Sequence, residues 1–181
     1  MFKFFLKFIV FIYSYQISTT TVKLSNLVDM SAKSEIIVHG IVGEQEVKID
    51  KYLRPITLTK IEIIDPIYNS TAKKVITVYQ VGGKTSEGVY PIIGGQSYQV
   101  GQQVILFGLK FNDKFVSYGL GQGKFNVSIN QNTSKVIEDL GNIEEFNPRS
   151  PFTHVSPSPL IYEDLELFKK EIRSIIQHVK R

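Results

Sequence analysis

The sequence predicts a mainly β domain flanked by helices, and three observations carry that expectation. Val75 to Val81 and Val104 to Leu109 are short runs rich in β-branched and aromatic residues, the composition of strands. Glycine, asparagine and aspartate punctuate the chain between such runs, as turns require. Apolar residues at helical spacing are confined to two stretches, one from Leu24 and one after Pro159.

Taken in order, Leu24, Leu27, Val28 and Ser31 predict a short opening helix, with Thr21 placed to cap it and Ser34 ending it. Glu35 to Val42 reads as a strand buried on both faces. The next strand begins at Ile56, where Ile56 and Leu58 share one parity while Ile61 and Ile63 take the other. Side chains alternate strictly across a strand, so this switch predicts a bulge near Lys60. Val75–Val81 follows, then a glycine-rich stretch from Gly82 to Gln96 too interrupted for a regular element. A turn at Gly101 leads into a buried strand from Val104. Asn112, Asp113 and Lys114 then make a tight hairpin into Phe115–Tyr118. Phe125, Val127 and Ile129 alternate as a half-buried strand.

Residues 131–157 turn polar and proline-bearing, a surface loop or tether. The last segment, 159–180, reads as an amphipathic helix with the stripe Ile161, Leu165, Phe168, Ile172, Ile175, Ile176 and Val179. Early acidic residues and the final Lys180 and Arg181 suit the helix dipole. About six or seven bent antiparallel strands with short turns predict a small closed or partly open OB-like β-barrel. A curved sheet packed on the terminal helix is the alternative.

The N-terminus gives an address. Lys3 and Lys7 precede an apolar run from Phe8 to Tyr13, with small residues at Ser14 and Ser18, the pattern of a secretory signal over residues 1–18. The run falls short of the ~20 apolar residues that span a bilayer, which leaves a retained N-terminal membrane anchor as the alternative. Residues 19–181 then form a single domain, exported to the periplasm or the outside. The 43% of hydrophobic residues suffices for one core. Cysteine is absent, which excludes disulfides, thiolate metal sites, cysteine nucleophiles and a lipidated cysteine. The signal lysines contribute half of the formal charge of +4, and the +2 that remains is too small to argue for a nucleic-acid or anionic-membrane partner; no stable membrane insertion is expected after cleavage.

No catalytic constellation emerges. His39 falls in a buried strand, His154 in the polar loop and His178 at the end of the last helix, with no metal-ligand spacing among them. Gly119-x-Gly-x-Gly123 and Gly82-Gly-Lys-Thr85 resemble phosphate-binding loops only superficially, since no helix follows either. They read as tight turns in a strongly coiled sheet. No cofactor and no metal are expected. As binding residues the sequence offers Gly82, Gly83, Tyr90, Gly94, Gly95, Tyr98, Tyr118, Gly119, Gly121 and Gly123, where close backbone approach and aromatic faces coincide.

Leu24-x-x-Leu-Val-x-x-Ser31-x-x-Ser34-x-Ile-Ile-Val-x-Gly-x-Val42 resembles the opening of a group of exported bacterial β-rich proteins of unassigned function. Tyr98-x-Val-Gly-x-x-Val-x-Leu-Phe107 and Gly119-x-x-x-Gly-Lys-Phe-x-Val127 resemble their later half. Some members are encoded near matrixin-like metalloproteases, which implies a binding or inhibitory role toward an exported protease. A fold-level similarity extends to netrin-like OB barrels, without the cysteine chemistry those use. The expectation is a non-enzymatic exported module that binds another protein. An envelope component docking through its C-terminal helix and a hydrolase with a site hidden from sequence are the alternatives.

Overall fold

The computed structural model describes residues 20–70, 72–92, 94–131, 133–141, 143–145 and 158–180. The expected signal segment, His154 and much of the polar loop lie outside them. In chain order the elements are β1 (Thr20–Val22), α1 (Leu27–Lys33), β2 (Ile36–Ile49), β3 (Pro55–Tyr68) and β4 (Val75–Val81). Next come β5 (Gly83–Lys84), β6 (Val89–Tyr90), β7 (Gln103–Phe111), β8 (Lys114–Ser117) and a 3-10 turn (Tyr118–Gly121). The chain closes with β9 (Lys124–Asn130), β10 (Thr133–Glu138), β11 (Ile143–Glu145), β12 (Ile161–Tyr162) and α2 (Leu165–Val179). The fold is mainly β with two helices, as expected.

Eight strands form one sheet in the order β12-β10-β9-β7-β2-β3-β4-β8, and β8 pairs back onto β7. Strands β7, β2, β3, β4 and β8 therefore make a ring. One edge of β7 is divided: Gln103–Leu106 pairs with β9, and Gly108–Phe111 pairs with β8. The β4–β8 junction is parallel and rests on one register position, Val78 opposite Phe115.

Curvature comes from irregularities between β2 and β3. Their register slips at three places, one of them between Val42 and Gln45, which face Ile61 and Thr59. Gly43 and Glu44 thus stand against Lys60 alone, and the extra residue bends the pair. The bulge expected near Lys60 exists, but on the partner strand. β3 keeps Thr57, Thr59 and Ile61 on one buried face, with the Thr57 hydroxyl donating to the Gly82 carbonyl at 2.8 Å. Gly40 is required at the closest approach, because a Cβ there would lie 2.5 Å from the Glu62 carbonyl oxygen.

Alternation across β2 and β7 serves two cores. Ile36, Val38, Val104 and Leu106 join Ile61, Ile76, Val78 and Phe115, so that all five ring strands contribute to one cluster. Ile37, Ile105 and Phe107 point the other way, toward Leu27 and Met30 of α1 and Leu165, Phe168 and Ile172 of α2. Phe125 stands between Phe107 and Phe168, with ring centroids 5.6 and 5.1 Å away. The expectation that Glu35–Val42 is buried on both faces follows from this arrangement. The terminal helix covers the sheet.

Four boundaries differ from the sequence reading. Thr21 lies in β1, which pairs in parallel with β11, and the α1 cap is Asn26, whose side chain accepts from the Asp29 amide at 2.8 Å. The stretch after Gly82, expected to be irregular, holds a two-residue ladder, Gly83–Lys84 against Val89–Tyr90. Residues 131–157 are not all loop, because β10 pairs with β9 over its whole length. The terminal helix starts at Leu165 rather than Pro159: Asp164 caps it, accepting from the Leu167 amide at 2.8 Å, while Ile161–Tyr162 pairs with β10. No helix among the described residues is long and apolar enough to cross a membrane.

Candidate functional site

Beyond Val78, β4 and β8 separate and leave a slot on the wall of the ring. Its volume is about 320 Å³, and its sides are Tyr79 and Val81 of β4, Leu109 of β7 and Val116 of β8. Leu120, in the turn that follows β8, forms the rim and is 49% exposed. The Ser117 hydroxyl lines the slot's polar side, buried and without a hydrogen-bond partner among the described residues. Tyr79 is steadied from outside by Phe111, with ring centroids 4.9 Å apart.

The rim is held under strain. Gly119 and Leu120 both occupy the left-handed region, at φ 61° and φ 57°. For glycine this costs little, but a non-glycine residue there costs about 1–3 kcal/mol and persists only where its surroundings impose it. Those surroundings are three interlocked loops. Gly94, at φ 84°, lies so close to the Leu120 carbonyl that a side chain there has no room. Gln96 is buried, and its Nε2 donates to the carbonyls of Gly121 and of Asp139, the latter at 2.8 Å. The Gln96 carbonyl in turn accepts from Gln80 Nε2 of β4 at 3.0 Å. Behind them Lys124, fully buried, pairs with Asp139 at 2.6 Å and donates to the Ser97 carbonyl at 2.5 Å. Burial pulls the Lys124 pKa below that of an ordinary lysine, with Asp139 opposing it.

The residues singled out from sequence divide into three groups. Gly94, Gly119 and Gly121 build the slot and its locking loops, and Gly95 continues the same turn, its amide donating to the Ile92 carbonyl. Gly82, Gly83 and Tyr90 lie at the β5–β6 hairpin, where Gly83 pairs with Tyr90. Tyr98 and Gly123 are buried, and Tyr118 packs against the helix-side core. Tyr98 sits in the ring core with the Lys124 ammonium 4.8 Å from its ring centroid, and desolvation pushes its phenol pKa up. Gln96, Lys124 and Leu120 escaped the sequence reading. A glutamine among glycines reads as linker, and a lysine opening a strand reads as a solvated position. The signal that existed was Leu120 itself, an apolar residue inside Gly119-x-Gly121.

The two histidines among the described residues, His178 and His39, are held by hydrogen bonds within the fold. His178 Nδ1 donates to the Ser174 carbonyl one turn earlier, at 2.6 Å. His39 is buried under α2, its Nε2 donating to Gln103 Oε1 at 3.0 Å and its Nδ1 without a partner among the described residues. Lys169 and Glu166 of α2 and Asp65 of β3 surround it. Asp65 pairs with Arg173 at 2.7 Å and Lys169 at 3.2 Å, and these cations hold its carboxyl below the usual range although burial opposes them. No group of three metal-ligating side chains occurs among the described residues.

Burial, followed by the Lys169 charge, lowers the His39 pKa. The unfolded chain therefore binds this proton more readily, and stability falls as pH drops below about 6.5, by at most about 1.4 kcal/mol per pH unit. Urea denaturation of wild type and His39→Gln at pH 7.5 and 5.5 checks this. The variant is expected to lose less stability over that interval, and an equal loss in both would assign the acid sensitivity elsewhere.

No known protein family, characterised protein or solved structure matches the chain.

Proposed function

We propose that the chain is an exported, non-enzymatic binding module on an OB-like barrel, and that the slot beside β8 takes an apolar segment of another exported protein. The ring order β2-β3-β4-β8-β7, closed by antiparallel β7–β2 pairing and a parallel β4–β8 junction, supports the barrel reading, since five strands in a partly open Greek key is the OB arrangement. The observation that carries the function is Leu120. An exposed leucine held in a costly backbone conformation beside a preformed apolar slot is the kind of strain that marks binding sites. Secreted proteases are the partner class that the sequence resemblance implies. The envelope-docking alternative drew on the terminal helix, whose residues Leu165, Phe168 and Ile172 are buried against the sheet.

A photo-crosslinking residue in place of Leu120, introduced in the producing cells, tests the proposal. One discrete protein adduct is expected, and Val116→Arg, which fills the slot with a charged side chain, is expected to abolish it without lowering the melting temperature by more than a few degrees. Adducts that persist in the Val116→Arg protein, or none at all, would defeat the reading.

A further inference from the structure

A second leucine is held in the left-handed region, Leu53 at φ 60°, and it lies at the far tip of the β2–β3 hairpin. The tip is rigid. Asp50 Oδ1 accepts from the amides of Tyr52 and Arg54 at 2.8 and 2.9 Å, while its Oδ2 accepts from the Arg54 guanidinium at 3.0 and 2.8 Å. This framework turns apolar side chains outward: Leu53 is 84% exposed and Tyr52 64%, and Val89 at the neighbouring β5–β6 hairpin is 76% exposed. Lys51 and Arg54 flank the pair in sequence and lie over the Tyr52 ring, 4.9 and 5.1 Å from its centroid. Between the two hairpins a groove of about 400 Å³ carries Lys48 and Lys84, with Thr85, Ser86 and one carboxylate, Glu87, beside them. Arg54 is engaged by Asp50 and Lys48 by Glu46, whereas Lys51 and Lys84 have no carboxylate partner among the described residues.

We propose that these two tips dock on an anionic phospholipid surface, with Tyr52 and Leu53 entering the acyl boundary and Lys51 and Lys84 meeting headgroup phosphates. Tyr52 and Leu53 crown a projecting turn, with Leu53 also edging the groove, and Lys51 and Lys84 border them on either side. A protein groove would have to supply a deep apolar pocket ringed by carboxylates, whereas an anionic bilayer presents both features at once. Each cation near such a surface contributes about a five-fold gain in partitioning. The site is separate from the slot, and its test leaves the slot intact.

The chain has no cysteine, so Leu53→Cys in the full-length protein places a single environment-sensitive fluorophore at the tip. Tyr52→Cys serves in parallel, and Lys170→Cys on the exposed face of α2 is the reference site. Because each label reports its own position, any membrane affinity of the N-terminal segment does not mask the result. With equimolar phosphatidylcholine–phosphatidylglycerol vesicles, labels at 52 and 53 are expected to shift to the blue and to be quenched by nitroxide lipids, while the label at 170 is not. Phosphatidylcholine alone is expected to give a much smaller change, and Lys51→Gln with Lys84→Gln to weaken the anionic response about twenty-five-fold. The proposal fails if position 53 is quenched no more than position 170. It fails equally if the response is the same without phosphatidylglycerol. A shift that grows with protein concentration in the absence of vesicles would assign the tips to self-association and overturn it too.

Discussion

Removing residues 165–180 is expected to turn the protein into aggregated, dye-binding material. The helix places Leu165, Phe168 and Ile172 in the core beside Phe125, Val136 and Ile105, and two of the three are fully buried. Burying such side chains contributes roughly 1.5–3 kcal/mol each, so together they rival the 5–15 kcal/mol by which a domain is stable. The loss leaves more than an apolar face. Asp65 is stripped of Arg173 and Lys169, and Ser134 Oγ no longer accepts from the Leu165 amide at 2.8 Å. Phe168→Ala is the gentler version, expected to cost about 3–5 kcal/mol in urea denaturation. A truncated protein that remains monomeric with an unchanged melting temperature would mean that α2 contributes nothing to the domain.

Phe107→Ala is expected to cost about 3–5 kcal/mol as well, for a distinct reason. Phe107 is completely buried and faces away from the ring interior: it lies between β7 and the helices, and α2 sits on the far side of Phe125. Its neighbour Leu106 faces the ring core. Leu106→Ala should therefore cost about 2–5 kcal/mol without perturbing α2. Chemical denaturation measures both costs, and hydrogen exchange in α2 separates them, since only Phe107→Ala should loosen the helix. A cost under 1 kcal/mol for Phe107→Ala would put that residue on a surface.

The strands that sequence revealed well are those whose composition and turn chemistry agree. Val75–Val81 occupies the expected span, and Asn112, at φ 56°, makes the tight turn expected between Phe111 and Phe115, although Lys114, expected in that turn, already pairs with Phe111 in β8. Glu35–Val42 was legible as doubly buried because Ile36, Val38 and Val42 occupy one parity while Ile37 and Ile41 occupy the other, which leaves no solvated face. β10 was hidden because Thr133–Glu138 carries polar residues; its pairing with β9 and β12 supplies the stability that composition does not advertise. The start of α2 was misplaced because Pro159 is a favourable first helical residue, whereas pairing of Ile161–Tyr162 with β10 holds the chain extended until Asp164 can cap. The site was legible only in part. Gly94, Gly119 and Gly121 announced a close approach of backbones, but what they approach is fixed by Gln96 and by the buried Lys124–Asp139 pair, through contacts distant in sequence.

The central claim is that the slot between β4 and β8 receives a partner. Methyl NMR of the full-length protein, titrated with the protein captured at position 120, tests it most directly. Shifts are expected to concentrate on Val81, Leu109, Val116 and Leu120, with the methyls of Ile172 and Leu165 unmoved. Shifts that spare those four residues and appear on α2 or at the β2–β3 tip would contradict it.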